Sequence, residues 1–152
     1  ICLFHVCFNA GYLFCNIVGN VDYFKQLAES QLSVKNIIAV NTNKIETAAI
    51  DLCDKYFPNL FDIISGSKEG LPPKPAPDGI FEILKKANIS QDNAIFIGDS
   101  DVDLQTGFNA NLEVIGVSWG FKGYEFLKQQ GAKYIAQTTS ELYEHIITIT
   151  NK

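Results

Sequence analysis

A run of acidic residues directly after an apolar segment is the feature that most constrains the fold of this chain. Residues 94–97 are Ala-Ile-Phe-Ile, and residues 98–103 read Gly-Asp-Ser-Asp-Val-Asp before a helical pattern begins. A strand that ends in carboxylates at the turn into a helix is where α/β proteins place their ligands. A single aspartate would be explained by helix capping alone. Three at alternate positions repel one another unless a positive charge lies among them, and carboxylate oxygens suit Mg²⁺ above all.

A calcium loop of the EF-hand type opens with the same spacing of aspartates. Such a loop needs Gly at its sixth position and Glu at its twelfth. Those positions hold Leu104 and Ala110 in this chain. The acidic run is therefore not a calcium loop of this kind.

Length and composition restrict the class of protein. The 152 residues suffice for one domain with a real core. The net charge of −5 and the absence of Arg argue against a nucleic-acid partner. The four Cys have irregular spacing, which indicates reduced thiols in a cytoplasmic protein. The chain contains no Met and begins with Ile, so we expect a processed protein or a piece of a longer one.

Short apolar runs alternate with amphipathic segments along most of the chain. This alternation predicts βαβ units and a parallel sheet, hence a three-layer α/β fold. The predicted strands are residues 37–40, 61–64, 93–97, 114–117 and 134–136. The predicted helices are residues 22–32, 46–56, 77–87, 101–110, 124–130 and a last one from residue 140.

Polar side chains follow three of the predicted strands. Thr42 and Asn43 follow the first, Lys74 lies in the crossover after the second, and Asp99 follows the third. The carboxyl ends of parallel strands share one edge, so these groups should converge on a site suited to a phosphoryl group. Taken singly, Thr42 reads as a helix cap and Lys74 as a surface residue. Four prolines between residues 72 and 77 stiffen the loop around Lys74, which favours a fixed position for its ammonium group.

The order of these motifs resembles that of the haloacid dehalogenase (HAD) superfamily, and within it the phosphoglycolate phosphatases. The resemblance rests on residues 42–44 (Thr-Asn-Lys), 74–78 (Lys-Pro-Ala-Pro-Asp) and 98–103, and it extends over residues 21–143. A response-regulator receiver domain, the nearest look-alike, would place its acidic cluster before its Thr and Lys. The resemblance implies a Rossmann-like (HAD-like) core over residues 21–152 with a mainly parallel sheet.

The resemblance also implies a role for each matching residue. Thr42 and Asn43 would contact the phosphoryl oxygens, and Lys74 would act in catalysis by stabilising the transferring group. Asp99 would bind Mg²⁺, and Asp103 would support the metal or its waters. In this family an aspartate on the first strand attacks phosphorus, and a second aspartate two residues later is the general acid and base.

That acidic pair is absent, because no Asp or Glu precedes Asp22. Two interpretations of residues 1–20 remain open. In the first, they are the remnant of a helical cap whose nucleophile strand lies upstream; the spacing of Phe4, Phe8 and Tyr12 favours it. In the second, residues 3–7 are a decayed first strand with His5 and Cys7 in place of carboxylates. The first strand of the fold is accordingly expected to be missing or altered.

Both interpretations leave the chain without the attacking carboxylate. We therefore expect a Mg²⁺-dependent phosphatase of small phosphomonoesters, with 2-phosphoglycolate the leading candidate, present as a truncated or inactive form. The alternative is a non-catalytic pseudoenzyme that binds phosphate, metal or a protein partner. The expected partner is a small phosphorylated metabolite, with no nucleic acid and no membrane. A membrane tether formed by residues 1–18 is a further rival.

Overall fold

The computed structural model describes residues 2–4, 37–120 and 122–151, with the backbone alone for residues 2–4. Strands and helices alternate along these residues. The strands are β1 (Cys2–Phe4), β2 (Ile37–Ile45), β3 (Ile63–Ser67), β4 (Ala94–Gly98), β5 (Glu113–Val117) and β6 (Tyr134–Ala136). The helices are α1 (Glu46–Tyr56), α2 (Asp78–Ala87), α3 (Asp101–Asn109), α4 (Tyr124–Gln129) and α5 (Thr139–Thr150).

The described strands form one six-stranded sheet in the order β3-β2-β1-β4-β5-β6. Every neighbouring pair is parallel. The strand order reverses direction at β1, since β2 and β3 lie on one side of it and β4 to β6 on the other. Ligands of open parallel sheets bind at the carboxyl edge of such a switch point.

The segment Cys2–Phe4 is a strand at the centre of the sheet. Cys2 pairs with Ile37 of β2 on one side and with Ala94 of β4 on the other. These three residues form a strand and not part of a cap helix, so the first strand, expected to be missing or altered, is present. A central position pairs the backbone groups of an apolar segment on both sides, which a local aromatic spacing does not reveal. The rest of both interpretations, from His5 to residue 20, falls outside the described residues, as does the predicted helix 22–32.

Helices cover both faces of the sheet, which confirms the three-layer α/β fold. On β4, Ala94 and Phe96 belong to a core with α2, α3 and α4, whereas Ile95 packs with α5. Because alternate residues of a strand point to opposite faces, these cores lie on opposite sides. Val40 of β2 packs with Cys53 of α1, on the face opposite that of Ala39. At about 25 cal/mol per Å² of apolar area, each fully buried Ile or Phe contributes about 1.5–3 kcal/mol.

The observed helices begin and end within one residue of the predicted ones wherever the structure describes them. Two strands differ more. β3 begins at Ile63 and runs to Ser67, later than predicted, and β2 continues five residues beyond Val40. No helix in the described part of the chain is both long and apolar enough to cross a bilayer.

Candidate active site

A bulge at the carboxyl end of β2 sets the position of Thr42 and Asn43. Asn41 pairs with Ser65 and Ile45 with Ser67, so three residues of β2 lie opposite the single Gly66 of β3. Bulges of this kind bend a strand and redirect its side chains. Thr42 is buried, and its hydroxyl accepts a hydrogen bond from the backbone N–H of Lys44 at 3.2 Å.

Gly66 is required by the closeness of this bulge. A Cβ at Gly66 would lie 2.4 Å from the Cα of Glu46 and 2.7 Å from the carbonyl oxygen of Lys44. Both contacts are with backbone atoms, which cannot move aside as a flexible side chain can. The bulge and the glycine therefore form one unit of structure.

The ammonium group of Lys74 forms a buried ion pair with Asp103. Lys74 Nζ lies 2.6 Å from Asp103 Oδ1, and the two side chains are 7% and 0% exposed. This contact joins the loop after β3 to the first turn of α3. Water is excluded from both groups, so the pair fixes the otherwise flexible lysine stem.

The second oxygen of Asp103 is held by the turn that begins α3. Asp103 Oδ2 accepts hydrogen bonds from Ser100 Oγ at 2.6 Å and from the backbone N–H of Asp99 at 3.4 Å. In return, the backbone N–H of Asp103 donates to Ser100 Oγ at 3.3 Å. Ser100 is the N-cap of α3, and the Ser-x-x-Asp spacing resembles a capping box. Sequence reasoning overlooked Ser100, although this spacing is a local signal for it.

Asp99 lies at the end of β4 and is 1% exposed. A Cβ at Gly120 would lie 2.3 Å from both Cβ and Oδ2 of Asp99, so only glycine fits against this carboxylate. Asp101, the next acidic residue, is half-buried in the first turn of α3. Asp99 and Asp103 are therefore the two buried carboxylates of this region.

Asn43 contacts the backbone of Lys74 at two points. Its Oδ1 accepts a hydrogen bond from the N–H of Lys74 at 2.7 Å, and its Nδ2 donates to the carbonyl oxygen of Lys74 at 3.2 Å. Contacts thus run from the β2 bulge through Lys74 to Asp103 and the backbone of Asp99. These segments lie together at one edge of the sheet, as the sequence predicted.

Comparison with known proteins agrees with this architecture. Residues 14–117 match the family model for haloacid dehalogenase-like hydrolases. The chain belongs to that family. It is 31% identical over 103 residues to pyrophosphatase PpaX of Listeria welshimeri, covering 68% of this chain and 48% of the relative. It is 29% identical over 140 residues to phosphoglycolate phosphatase of Colwellia psychrerythraea, covering 89% of this chain and 61% of that protein.

Solved structures show the same fold. A candidate phosphoglycolate phosphatase from Lactobacillus delbrueckii subsp. bulgaricus superposes with a TM-score of 0.74 at 34% identity. The superposition covers 86% of this HAD-like chain and 52% of that one. The chain thus spans between about half and three fifths of the length of these relatives.

A second charge cluster lies beside the bulge of this HAD-like core. Lys68 Nζ lies 2.8 Å from Glu46 Oε2 and 2.7 Å from Glu82 Oε1, and Lys86 Nζ lies 2.7 Å from the same Glu82 oxygen. Burial acts to raise the pKa of Glu82, but the hydrogen bonds from Lys68 and Lys86 outweigh it and lower the pKa to about 2. The pKa of Lys68 is raised because Glu46 and Glu82 both accept from it. This cluster ties α1, β3 and α2 together where the Lys74 loop begins.

Some of the side chains of the site are suited to binding a hard cation such as Mg²⁺. Mg²⁺ is commonly held by one or two carboxylates together with waters and phosphate oxygens. Asp99 and Asp103 are two such carboxylates, although Asp103 already accepts hydrogen bonds on both oxygens. Among residues 37–120 and 122–151, no three His, Cys, Asp or Glu side chains are grouped as a metal site would require. The roles of Thr42, Asn43, Lys74, Asp99 and Asp103 toward a ligand stay predictions.

Proposed function

We propose that this chain carries the phosphoryl-binding core of a Mg²⁺-dependent phosphatase that acts on small phosphomonoesters, 2-phosphoglycolate first among them. The observation that carries the proposal is the buried Lys74–Asp103 pair beside Asp99 at the carboxyl edge of the sheet. A fixed ammonium group beside carboxylates suits a phosphoryl group whose negative charge grows during transfer. Names of relatives that include a phosphoglycolate phosphatase and a pyrophosphatase support a phosphorylated substrate.

Each site residue would have a distinct task. The Thr42 hydroxyl and the free N–H of the Asn43 amide would donate hydrogen bonds to phosphoryl oxygens. Lys74 would offset charge on the transferring group while Asp103 keeps its ammonium in place. Asp99 would be a direct ligand of Mg²⁺, with Asp103 supporting the metal through its waters. When bound, Mg²⁺ would supply charge neutralisation of the phosphoryl oxygens.

We further propose that this chain alone does not complete the reaction. The first strand of the sheet is present, yet residues 1–21 contain no Asp or Glu to attack phosphorus. Without a nucleophilic carboxylate no aspartyl-phosphate forms, and the chain would be an inactive form. The same observation favours the second candidate function, a pseudoenzyme that binds phosphate or metal without turnover.

Binding and turnover, measured on the same protein, test these proposals. We expect inorganic phosphate with Mg²⁺ to bind the 152-residue chain by calorimetry, and Lys74→Met or Asp99→Asn to weaken binding at least about tenfold, or about 1.4 kcal/mol. Lys128→Met, on the exposed side of α4, is the matched control and should leave binding unchanged. No phosphate binding by the folded wild-type chain would refute the phosphoryl-binding proposal.

Turnover separates the two candidate functions. Neither p-nitrophenyl phosphate, 2-phosphoglycolate nor pyrophosphate should be hydrolysed above background by this chain with Mg²⁺. Turnover that Asp99→Ala abolishes would refute the proposed inactivity and identify an active phosphatase. The substrate panel would then rank the phosphomonoester against pyrophosphate.

Location and partners complete the proposal. The partner would be a small phosphorylated metabolite rather than nucleic acid or a membrane, since the net charge is −5 and Arg is absent. A cytoplasmic location is supported by Cys53, a buried free thiol whose pKa burial raises to about 11. Such a thiol packs as a small apolar group and is not a reactive nucleophile.

A further inference from the structure

The loop that carries Lys74 cannot satisfy its own backbone hydrogen bonds. Prolines occupy positions 72, 73, 75 and 77, and none of them has an N–H group. Two bonds lie within the loop, from the N–H of Ala76 to the carbonyl oxygen of Pro73 at 3.0 Å and from the N–H of Leu71 to that of Lys68 at 3.2 Å. The carbonyl groups of Lys74 and Pro75 accept hydrogen bonds from side chains of other elements. The position of the loop therefore depends on partners outside it.

Asn43 is the first of these partners, and its amide can be oriented in only one way. The N–H of Lys74 needs an acceptor, and the carbonyl oxygen of Lys74 needs a donor. Asn43 Oδ1 accepts a hydrogen bond from the N–H of Lys74 at 2.7 Å, and Asn43 Nδ2 donates one to the carbonyl oxygen of Lys74 at 3.2 Å. Exchanging the two ends of the amide would break both contacts.

Asn109, at the end of α3, is the second partner. Its Nδ2 donates to the carbonyl oxygen of Pro75 at 2.9 Å, and its Oδ1 accepts from Gln105 Nε2 at 2.8 Å. Gln105 lies one turn earlier on the same helix, where residues four apart are neighbours. By occupying the oxygen, Gln105 leaves the nitrogen of Asn109 facing Pro75.

We propose that Asn43 and Asn109 are positioning residues that hold the Lys74–Pro75 backbone so that the Lys74 ammonium stays on Asp103. Helix α3 thereby contacts this segment at two places, through Asp103 at the Lys74 ammonium group and through Asn109 at the carbonyl oxygen of Pro75. Asn43 and Asn109 are exposed, so water competes for the hydrogen bonds of both amides. Two such amides hold the Lys74–Pro75 backbone more firmly than one would. The functional meaning of this arrangement rests on the proposed contact between Lys74 and a phosphoryl group.

Acetylation rates of individual lysines, followed by mass spectrometry, test the positioning role without requiring catalysis. Lys74 should react slowly in the wild-type chain, because its side chain is 7% exposed and ion-paired. Asn43→Ala and Asn109→Ala should each raise the Lys74 rate about two- to tenfold, the range of one lost hydrogen bond. Lys86 and Lys128 serve as internal standards and should keep their wild-type rates.

Two further variants separate positioning from general loosening. Asn109→Asp keeps the acceptor for Gln105 but removes the donor to Pro75, so it should raise the Lys74 rate as Asn109→Ala does. Gln129→Ala removes an exposed amide at the end of α4 and should change nothing. Unchanged Lys74 rates in the Asn43 and Asn109 variants would overturn the inference, as would an equal rise at every lysine.

Added inorganic phosphate with Mg²⁺ distinguishes failure of this inference from failure of the proposed function. Phosphate should slow acetylation of Lys74 further in the wild-type chain. If phosphate gives no protection while the Asn43 and Asn109 variants still expose Lys74, the positioning role stands and the phosphoryl-binding function fails. If phosphate protects Lys74 while its rate without phosphate is the same in the wild-type chain and in the Asn43 and Asn109 variants, the amides do not position it and the inference is overturned.

Discussion

Removing Lys74 should expose the energetic cost of the buried Asp103 carboxylate. Asp103 is fully buried, and Lys74 is its partner at 2.6 Å. Lys74→Met keeps most of the side-chain volume and removes the ammonium group, with its charge and its hydrogen bond to Asp103. Removing one partner of a buried ion pair costs about 3–5 kcal/mol. The hydrogen bonds from Ser100 and from the backbone of Asp99 still stabilise the carboxylate, so we expect about 2–4 kcal/mol here.

A double-mutant cycle isolates the interaction itself. Asp103→Asn leaves the Lys74 ammonium without its counterion and should cost about 2–3 kcal/mol. The double variant Lys74→Met/Asp103→Asn contains neither charge, so its loss should be smaller than the sum of the single losses by about 2 kcal/mol. A control cycle at Lys86 and Glu82, paired at 2.7 Å but with side chains 48% and 24% exposed, should give a coupling below about 1 kcal/mol.

Urea unfolding followed by fluorescence of Trp119, the single tryptophan, measures these free energies of unfolding. Trp119 packs against the core beneath α5, so its emission should report loss of tertiary structure. Additive single losses at Lys74 and Asp103, within about 0.5 kcal/mol, would refute the claim that the pair is buried and coupled. A coupling no larger than that of the Lys86–Glu82 control would refute it equally.

Two further outcomes are expected. Because the pKa of Glu82 is about 2 in the fold against 4.5 for the free group, its contribution is present above pH 4.5 and is lost as pH falls toward 2. Between pH 4.5 and 2, the unfolding free energy of the wild-type chain should therefore fall by about 1–2 kcal/mol more than that of Glu82→Gln. The same decrease in both proteins would contradict this. Gly66→Ala should lower the free energy of unfolding in urea by about 1–3 kcal/mol, because its Cβ would lie 2.4 Å from a backbone atom. Gly116→Ala should cost less, because its Cβ would contact the side-chain atom Leu127 Cδ1 at 3.2 Å. Equal costs would contradict the packing argument.

Local sequence signals predicted most of the secondary structure. Pro77 and Asp78 mark the start of α2, and α2 begins at Asp78. The helix at 46–56 and the strand at 134–136 have the predicted bounds. These signals succeed because periodicity, capping and proline geometry act within a few residues.

The convergence of the site could also be predicted, but its detailed contacts could not. That Lys74 and Asp99 reach one edge follows from the carboxyl ends of parallel strands meeting there. Asp103 forms an ion pair with Lys74, 29 positions away, and Asn109 donates a hydrogen bond to Pro75, 34 positions away. No local pattern encodes such pairings, because they depend on how the elements pack.

The sequence by itself determined the alternation of strands and helices and the residue types at each strand end, because these follow from local steric and hydrophobic preferences. Tertiary structure alone decided the central place of Cys2–Phe4, the bulge opposite Gly66 and the partners of Asn43 and Asp103. Those features arise where strand register and helix packing bring distant residues together. A central strand pairs its backbone groups on both sides, and that long-range pairing overrode the aromatic spacing that favoured a helix at Phe4.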